Sequence, residues 1–226
     1  MKKNNDFHLQ VPGGETTVLL HTCCAPCSSA IIEAMLKDGI TPVIYYCNPN
    51  IYPLEEYEIR KNECTRYAQA LGLEIVDADY DHERWLEEVK GLENEPERGG
   101  RCLKCFKIRL LRTAQYAAQR GIKVITTTLA SSRWKSLDQI NEAGRWACQQ
   151  IVLPDGKVIW WNHNWRKNGL QERRLQIIKE YDFYNQLYCG CEFSMHRNQS
   201  TGLPSSSDLT STTQFSLTSE GMSSLL

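Results

Sequence analysis

An α/β domain, a Rossmann-like three-layer sandwich with a mainly parallel sheet, is the fold this sequence predicts, and three observations predict it. Short apolar runs of strand length alternate with longer segments of helical periodicity along most of the chain. Several of the helical segments run into a glycine, a common helix stop. A chain of 226 residues, 41% hydrophobic and 23% charged, can bury one full core, and strand-helix alternation favours a single parallel sheet with crossovers.

The elements follow in order. Residues 16–22 (TTVLLHT) read as a short buried strand, and 28–37 (SSAIIEAMLK) as a helix capped at Asp38-Gly39. A second strand is expected over 42–47, then the loop NPNIYP, a helix over 54–71 stopped by Gly72, a strand over 73–76 and a short helix over 83–90. After the loop GLENEPERGGR, a helix should run over 102–119 and end at Gly121, followed by the strand KVITTTL and a helix over 137–149. Past Gly156, KVIWWN reads as a further strand and 171–180 as a helix, before the aromatic stretch YDFYNQLYCGCEF. Three regions result: a flexible N-terminus over 1–15, a catalytic domain over 16–195, and a disordered tail over 196–226 that is rich in Ser and Thr.

The first residues hold lysines but no apolar stretch of signal-peptide length, and no later segment approaches the roughly 20 apolar residues of a membrane span, so a cytoplasmic protein without membrane contact is expected. In that reducing compartment ten cysteines point to metal binding or thiol chemistry instead of structural disulfides. The formal net charge of −1 excludes a generic polyanion binder; contact with nucleic acid would need a local basic face.

Seven of the ten cysteines fall in three clusters. His21-Thr-Cys23-Cys24-Ala-Pro-Cys27 lies between the first strand and the first helix, at the carboxyl edge of the sheet where ligand sites of open α/β folds lie. A helix N-terminus there favours thiolate, for metal ligation or nucleophilic chemistry. Cys102 and Cys105 form a C-x-x-C at the start of another helix, at the same end of the sheet, so a shared four-thiolate site is geometrically reasonable. Cys189 and Cys191 are separated by Gly190; a disulfide between them would close a small strained ring, although two independent ligands are an alternative. Cys47, Cys64 and Cys148 are isolated and are assigned to packing, and His21 to a hydrogen-bonded core position. Basic residues gather around the second cluster (Arg98, Arg101, Lys104, Lys107, Arg109, Arg112), with Arg133, Lys135, Arg166 and Lys167 elsewhere. Tyr52, Trp134, Trp160, Trp161 and Trp165 are candidates for stacking on unpaired bases.

HTCCAPCS, YYCNPNIYPLEEYEIRKNE, RCLKCFKIRLLRTAQYA, TTTLASSRWKS and FYNQLYCGC, in this order, make the chain over about residues 16–195 resemble the QueH family of epoxyqueuosine reductases. The resemblance implies an enzyme independent of cobalamin that reduces epoxyqueuosine to queuosine at the wobble position of a tRNA anticodon, drawing on an external electron donor. It implies a 4Fe-4S cluster held by Cys23, Cys24, Cys102 and Cys105, with Cys189 and Cys191 as a redox-active pair. Whether Cys27 ligates a second iron ion is open. Tyr188 and His21 are the candidate proton sources.

Two other classes compete. Cys24-Ala-Pro-Cys27 on a strand-to-helix turn would suit a thioredoxin-like thiol-disulfide oxidoreductase, which leaves two clusters unexplained. A structural zinc protein that binds RNA would use two C-x-x-C pairs, but adjacent Cys23-Cys24 is awkward for a zinc knuckle. An ATP-dependent tRNA-modifying enzyme is disfavoured, because cysteines stand where a Gly-rich phosphate loop would follow the first strand.

Overall fold

In the computed structural model, which describes residues 7–152 and 156–195, five strands form one sheet in the order β3-β2-β1-β4-β5, all parallel. The strands are β1 (Thr17–Thr22), β2 (Thr41–Tyr46), β3 (Ile75–Asp77), β4 (Val124–Thr127) and β5 (Ile159–Trp160). The expected α/β class is therefore observed, and the sheet is wholly parallel. β1, β2 and β4 are buried along nearly their whole length, as a parallel sheet covered on both faces requires. That is why TVLLHT and TPVIYY read as unbroken runs and not as alternations.

Helices α1 (Ala25–Lys37), α2 (Leu54–Ala70) and α6 (Leu170–Glu180) cover one face; α4 (Gly100–Gln119) and α5 (Leu137–Gln149) cover the other. Short helices α3 (His82–Glu88) and α7 (Glu192–Met195) pack near the start of α4 and at the end of the described chain. α1 starts earlier than its periodicity suggests, because Pro26 is suited to the first helical turn, so Cys27 belongs to the helix and not to the turn before it. KVIWWN contributes only two residues to β5; Trp161 leaves the strand to pack edge-on against buried Trp165, and Trp160 donates its indole N–H to Asn141 of α5. α5 accommodates that ring through Gly144, where a Cβ would come within 2.2 Å of it. β4 ends sooner than expected, and Thr128–Ser131 turn in a short 3-10 segment beside β1.

Residues 7–15 are held to the domain: His8 and the amide of Leu9 bond the carboxylate of Asp38, and Leu9 is buried. The tail and the first six residues lie outside the described part of the chain. No described helix is long and apolar enough to cross a membrane.

Candidate active site

The strand order reverses between β1 and β4, and their carboxyl ends open a crevice of the kind that holds ligands in doubly wound sheets. Cys23 follows β1 directly, and Thr128, the first residue after β4, stands across from it. The amide of Cys23 donates to Thr128 Oγ1 at 3.3 Å, and Thr128 therefore fixes the entry to the cysteine turn. Cys24 is the N-cap of α1, in extended backbone, and Cys27 sits in its first turn. The chain doubles back there and brings the sulfurs of Cys23, Cys24 and Cys27 within 4.8 Å of one another, with Cys23 and Cys24 Sγ at 3.8 Å.

Three thiols so close share their protons. Hydrogen bonds from Cys24 and Cys27 hold Cys23 well below the usual thiol range, helped by Lys135 and Arg109 against the opposing effect of burial. Burial and the Cys23 charge push Cys24 far up, and the bond to Cys23 pushes Cys27 to about 12. Of the three, Cys23 is therefore the thiol that gives up its proton most readily. Gln186 donates to Cys24 Sγ at 3.0 Å and reaches Cys27 Sγ at 3.9 Å. Nothing in its sequence neighbourhood singles Gln186 out; its role follows from the return of residues 181–191 across the sheet edge.

Four more thiols converge nearby. Cys102 and Cys105 lie three apart in the first turns of α4, on one helix face, and line a cavity together with Cys189 and Cys191. Cys105 and Cys191 pack with Trp85 and Val89 in a small apolar cluster. Burial raises Cys102 and Cys105 and pushes Cys191 to about 12. This cavity opens into a cleft of about 920 Å3 that is lined by Cys23 and Cys27; Asn50, Arg109, Trp134, Lys135 and Cys189 border both. Arg109 and Lys135 border both spaces, so the two groups of thiols face a common pair of cations. Among the described residues only the triad gathers three metal-type ligand atoms within 4.8 Å; Cys102 and Cys105 border the same site without joining that tight group.

The Cys189-Gly190-Cys191 turn is held in place by residues the sequence did not flag. Arg60, buried against Glu56 in a 2.6 Å ion pair, donates to the carbonyls of Tyr188 and Cys189 at 3.2 and 3.3 Å. Tyr184 donates to the other oxygen of Glu56 at 2.7 Å, and the Gly190 carbonyl accepts from the amide of Tyr52. Gly190 has φ +104°, and a Cβ there would press on Ile51 and Arg60.

His21 is fully buried, bonded to Thr127 Oγ1 at 2.6 Å and to the Cys47 carbonyl at 3.0 Å; burial and Arg109 lower it to about 3. Its ring is neutral and both nitrogens are engaged, which matches the core reading and removes it as a proton source. Tyr188 donates its hydroxyl proton to the Tyr52 carbonyl, which braces the turn, and burial raises its pKa. Cys47, Cys64 and Cys148 are buried, as packing thiols should be. Of the stacking candidates, Trp161 and Trp165 are core, Trp160 is lodged in α5, and Trp134 and Tyr52 remain exposed. Arg101 and Arg109 are buried: Arg101 donates to the carbonyls of Leu92, Glu93 and Glu95, and Arg109 to Cys47 O and Asn48 Oδ1. Lys104 and Lys107 pair with Glu88 and Glu142.

Fold and site together define a class: a doubly wound α/β protein whose switch-point crevice carries thiols where nucleotide-binding relatives of this architecture carry a Gly-rich loop. The family model described as epoxyqueuosine reductase QueH matches residues 18–197. A protein of Haemophilus influenzae named epoxyqueuosine reductase QueH is 47% identical over 187 residues, covering 83% of this chain and 75% of its own. One of Acinetobacter baylyi with the same name is 46% identical, with 83% and 84% covered, and one of Thermotoga maritima is 34% identical over 182 residues, with 79% and 90% covered. The chain belongs to the QueH family of epoxyqueuosine reductases, which are oxidoreductases.

Proposed function

We propose that this protein reduces epoxyqueuosine to queuosine in the anticodon loop of tRNA, with a 4Fe-4S cluster held by Cys23, Cys24, Cys102 and Cys105 and with Cys189 and Cys191 as the two-electron couple. The observation that carries the reading is the gathering of thiols from three distant chain segments at the switch point: Cys23 and Cys27 line the cleft, Cys102, Cys105 and Cys191 the cavity beside it, and Cys189 both. Soft thiolate donors select iron-sulfur clusters or zinc over hard cations, and the residues present fit such a group. Cys23 is the thiol most readily deprotonated, and loading would displace protons from the ligands. Cys27, within ligand distance of Cys23 and Cys24, is the residue available to a second iron ion.

When bound, the cluster would supply electrons singly, and a second iron ion at Cys27 would supply a Lewis acid for the epoxide oxygen. The chain does the rest. Two thiols at Cys189 and Cys191 become one disulfide and release two electrons and two protons; the epoxide takes these up, both C–O bonds break, a C=C bond forms, and the oxygen leaves as water. An external donor then reduces the disulfide. Cys189 borders both cavity and cleft, where the substrate would meet it, and Arg60 holds its turn in register. Lys135, bordering the same two spaces, is placed to bind the departing oxygen electrostatically.

Anaerobic reconstitution followed by assay on tRNA that contains epoxyqueuosine, with a chemical reductant, tests the proposal; the expected product is queuosine. Cys102→Ala should lose the cluster absorbance, whereas Cys189→Ser and Cys191→Ser should keep it and stop turnover. One equivalent of zinc without a chromophore, or iron-free protein active on insulin disulfides, would replace this reading with one of its rivals.

A further inference from the structure

We infer that Trp134 is a stacking platform for an unpaired base next to the reacting nucleotide, flanked by cations that hold the strand's phosphates; this rests on the tRNA reading above. The sequence offers five aromatic candidates for such a role, and the structure sorts them. Trp160, Trp161 and Trp165 are committed to the core and to α5, and the Tyr52 ring stacks on His82 and borders neither the cavity nor the cleft. Trp134 is 66% exposed, borders both the thiol cavity and the cleft, and makes no hydrogen bond through its indole N–H among the described residues.

An exposed indole on a loose loop would have little value as a platform, but this loop is fastened from behind. Arg98 donates to the carbonyls of Arg133 and Trp134, both at 2.9 Å, and Arg166 donates to that of Lys135 at 2.7 Å. The Arg133 guanidinium lies 5.0 Å from the indole centroid, and one face of the ring is therefore already covered by a cation. The other face is left for a base, in the cation-aromatic-base sandwich that single-strand binders use.

The charge around it fits the same partner. The cleft lining holds Arg60, Arg109, Arg133, Lys135, Arg166 and Arg174 against one carboxylate, Glu97, in a protein of net charge −1. Arg60 is neutralised by Glu56; Arg133, Lys135, Arg166 and Arg174 form no ion pair among the described residues. Four unpaired cations beside an exposed aromatic suit a flexible polyanion with bases turned outward, not a duplex whose bases are stacked inside.

The test uses the full-length protein and an anticodon stem-loop RNA, with a fully base-paired RNA of equal length as control. Trp134→Ala should weaken stem-loop binding on the order of tenfold or more, while Trp134→Phe retains affinity by gel retardation yet abolishes most of the tryptophan quenching seen with the native chain. Arg133→Gln and Arg174→Gln should each lower the salt slope of log K by about 0.7. In turnover the Trp134→Ala loss should fall on KM with kcat retained. Native affinity in Trp134→Ala, or an equal loss with the paired control, would overturn the platform and leave the tRNA reading standing. Failure of the native protein to bind either RNA would overturn both.

Discussion

At the scale of single residues, the Cys189-Gly190-Cys191 turn shows how the pair proposed to carry the electrons is held by groups outside it. Gly190 occupies a backbone conformation that L side chains rarely adopt, and any Cβ would press on Ile51 and Arg60. Gly190→Ala is expected to cost about 1–3 kcal/mol of stability and to depress turnover far more than cluster content, read by denaturant unfolding beside cluster absorbance. Arg60→Leu strands the buried Glu56 carboxylate, and a loss of about 3–5 kcal/mol is expected; Arg60→Lys should recover part of it because it keeps the charge while losing the fork. From the sequence, Glu56 and Arg60 look like any i,i+4 pair on an exposed helix face. Their meaning lies in the carbonyls of Tyr188 and Cys189, far along the chain, which no local pattern encodes.

At the scale of elements, what was legible is what local periodicity controls. The strand runs, the helix stops and the C-x-x-C at the head of α4 stand in the sequence as they stand in the fold, since a buried parallel strand needs continuous apolar residues and a helix presents residues three apart on one face. What was not legible depends on partners chosen by tertiary packing. The apolar run at 157–162 gives only a two-residue strand, because its tryptophans find better burial against α5 and Trp165 than in an extended edge. His21 ties β1 to β4 and to the end of β2, and its depressed pKa has a sign that can be checked. The unfolded chain protonates His21 near 6.5 but the folded one only near 3, so below 6.5 the unfolded state binds the extra proton and stability falls. About 1.4 kcal/mol per pH unit should be lost through this group between those values, a slope that should appear in the difference between the native and His21→Gln stability curves measured by chemical denaturation.

At the scale of the whole molecule, the sheet acts as a frame that gathers thiols from the first crossover, from α4 and from the residues that close the domain. A metal centre bound by ligands so far apart in sequence stabilises the native state against an unfolded chain that cannot present them together. Anaerobic loading with iron and sulfide should therefore raise the thermal midpoint by about 5–10 °C at saturating occupancy, from about 2.7 kcal/mol at a hundredfold excess over Kd. Cys102→Ala should abolish the shift in a thermal scan followed by circular dichroism.

The same spread of ligands orders events during synthesis. The triad is complete once the first strand and helix have left the ribosome, but the cavity opposite it closes only after Cys189 and Cys191 have followed. Until then a nascent chain offers a metal three thiols of one crossover and no enclosing wall. A centre that draws on all three segments can therefore assemble only on a chain already folded through Cys191.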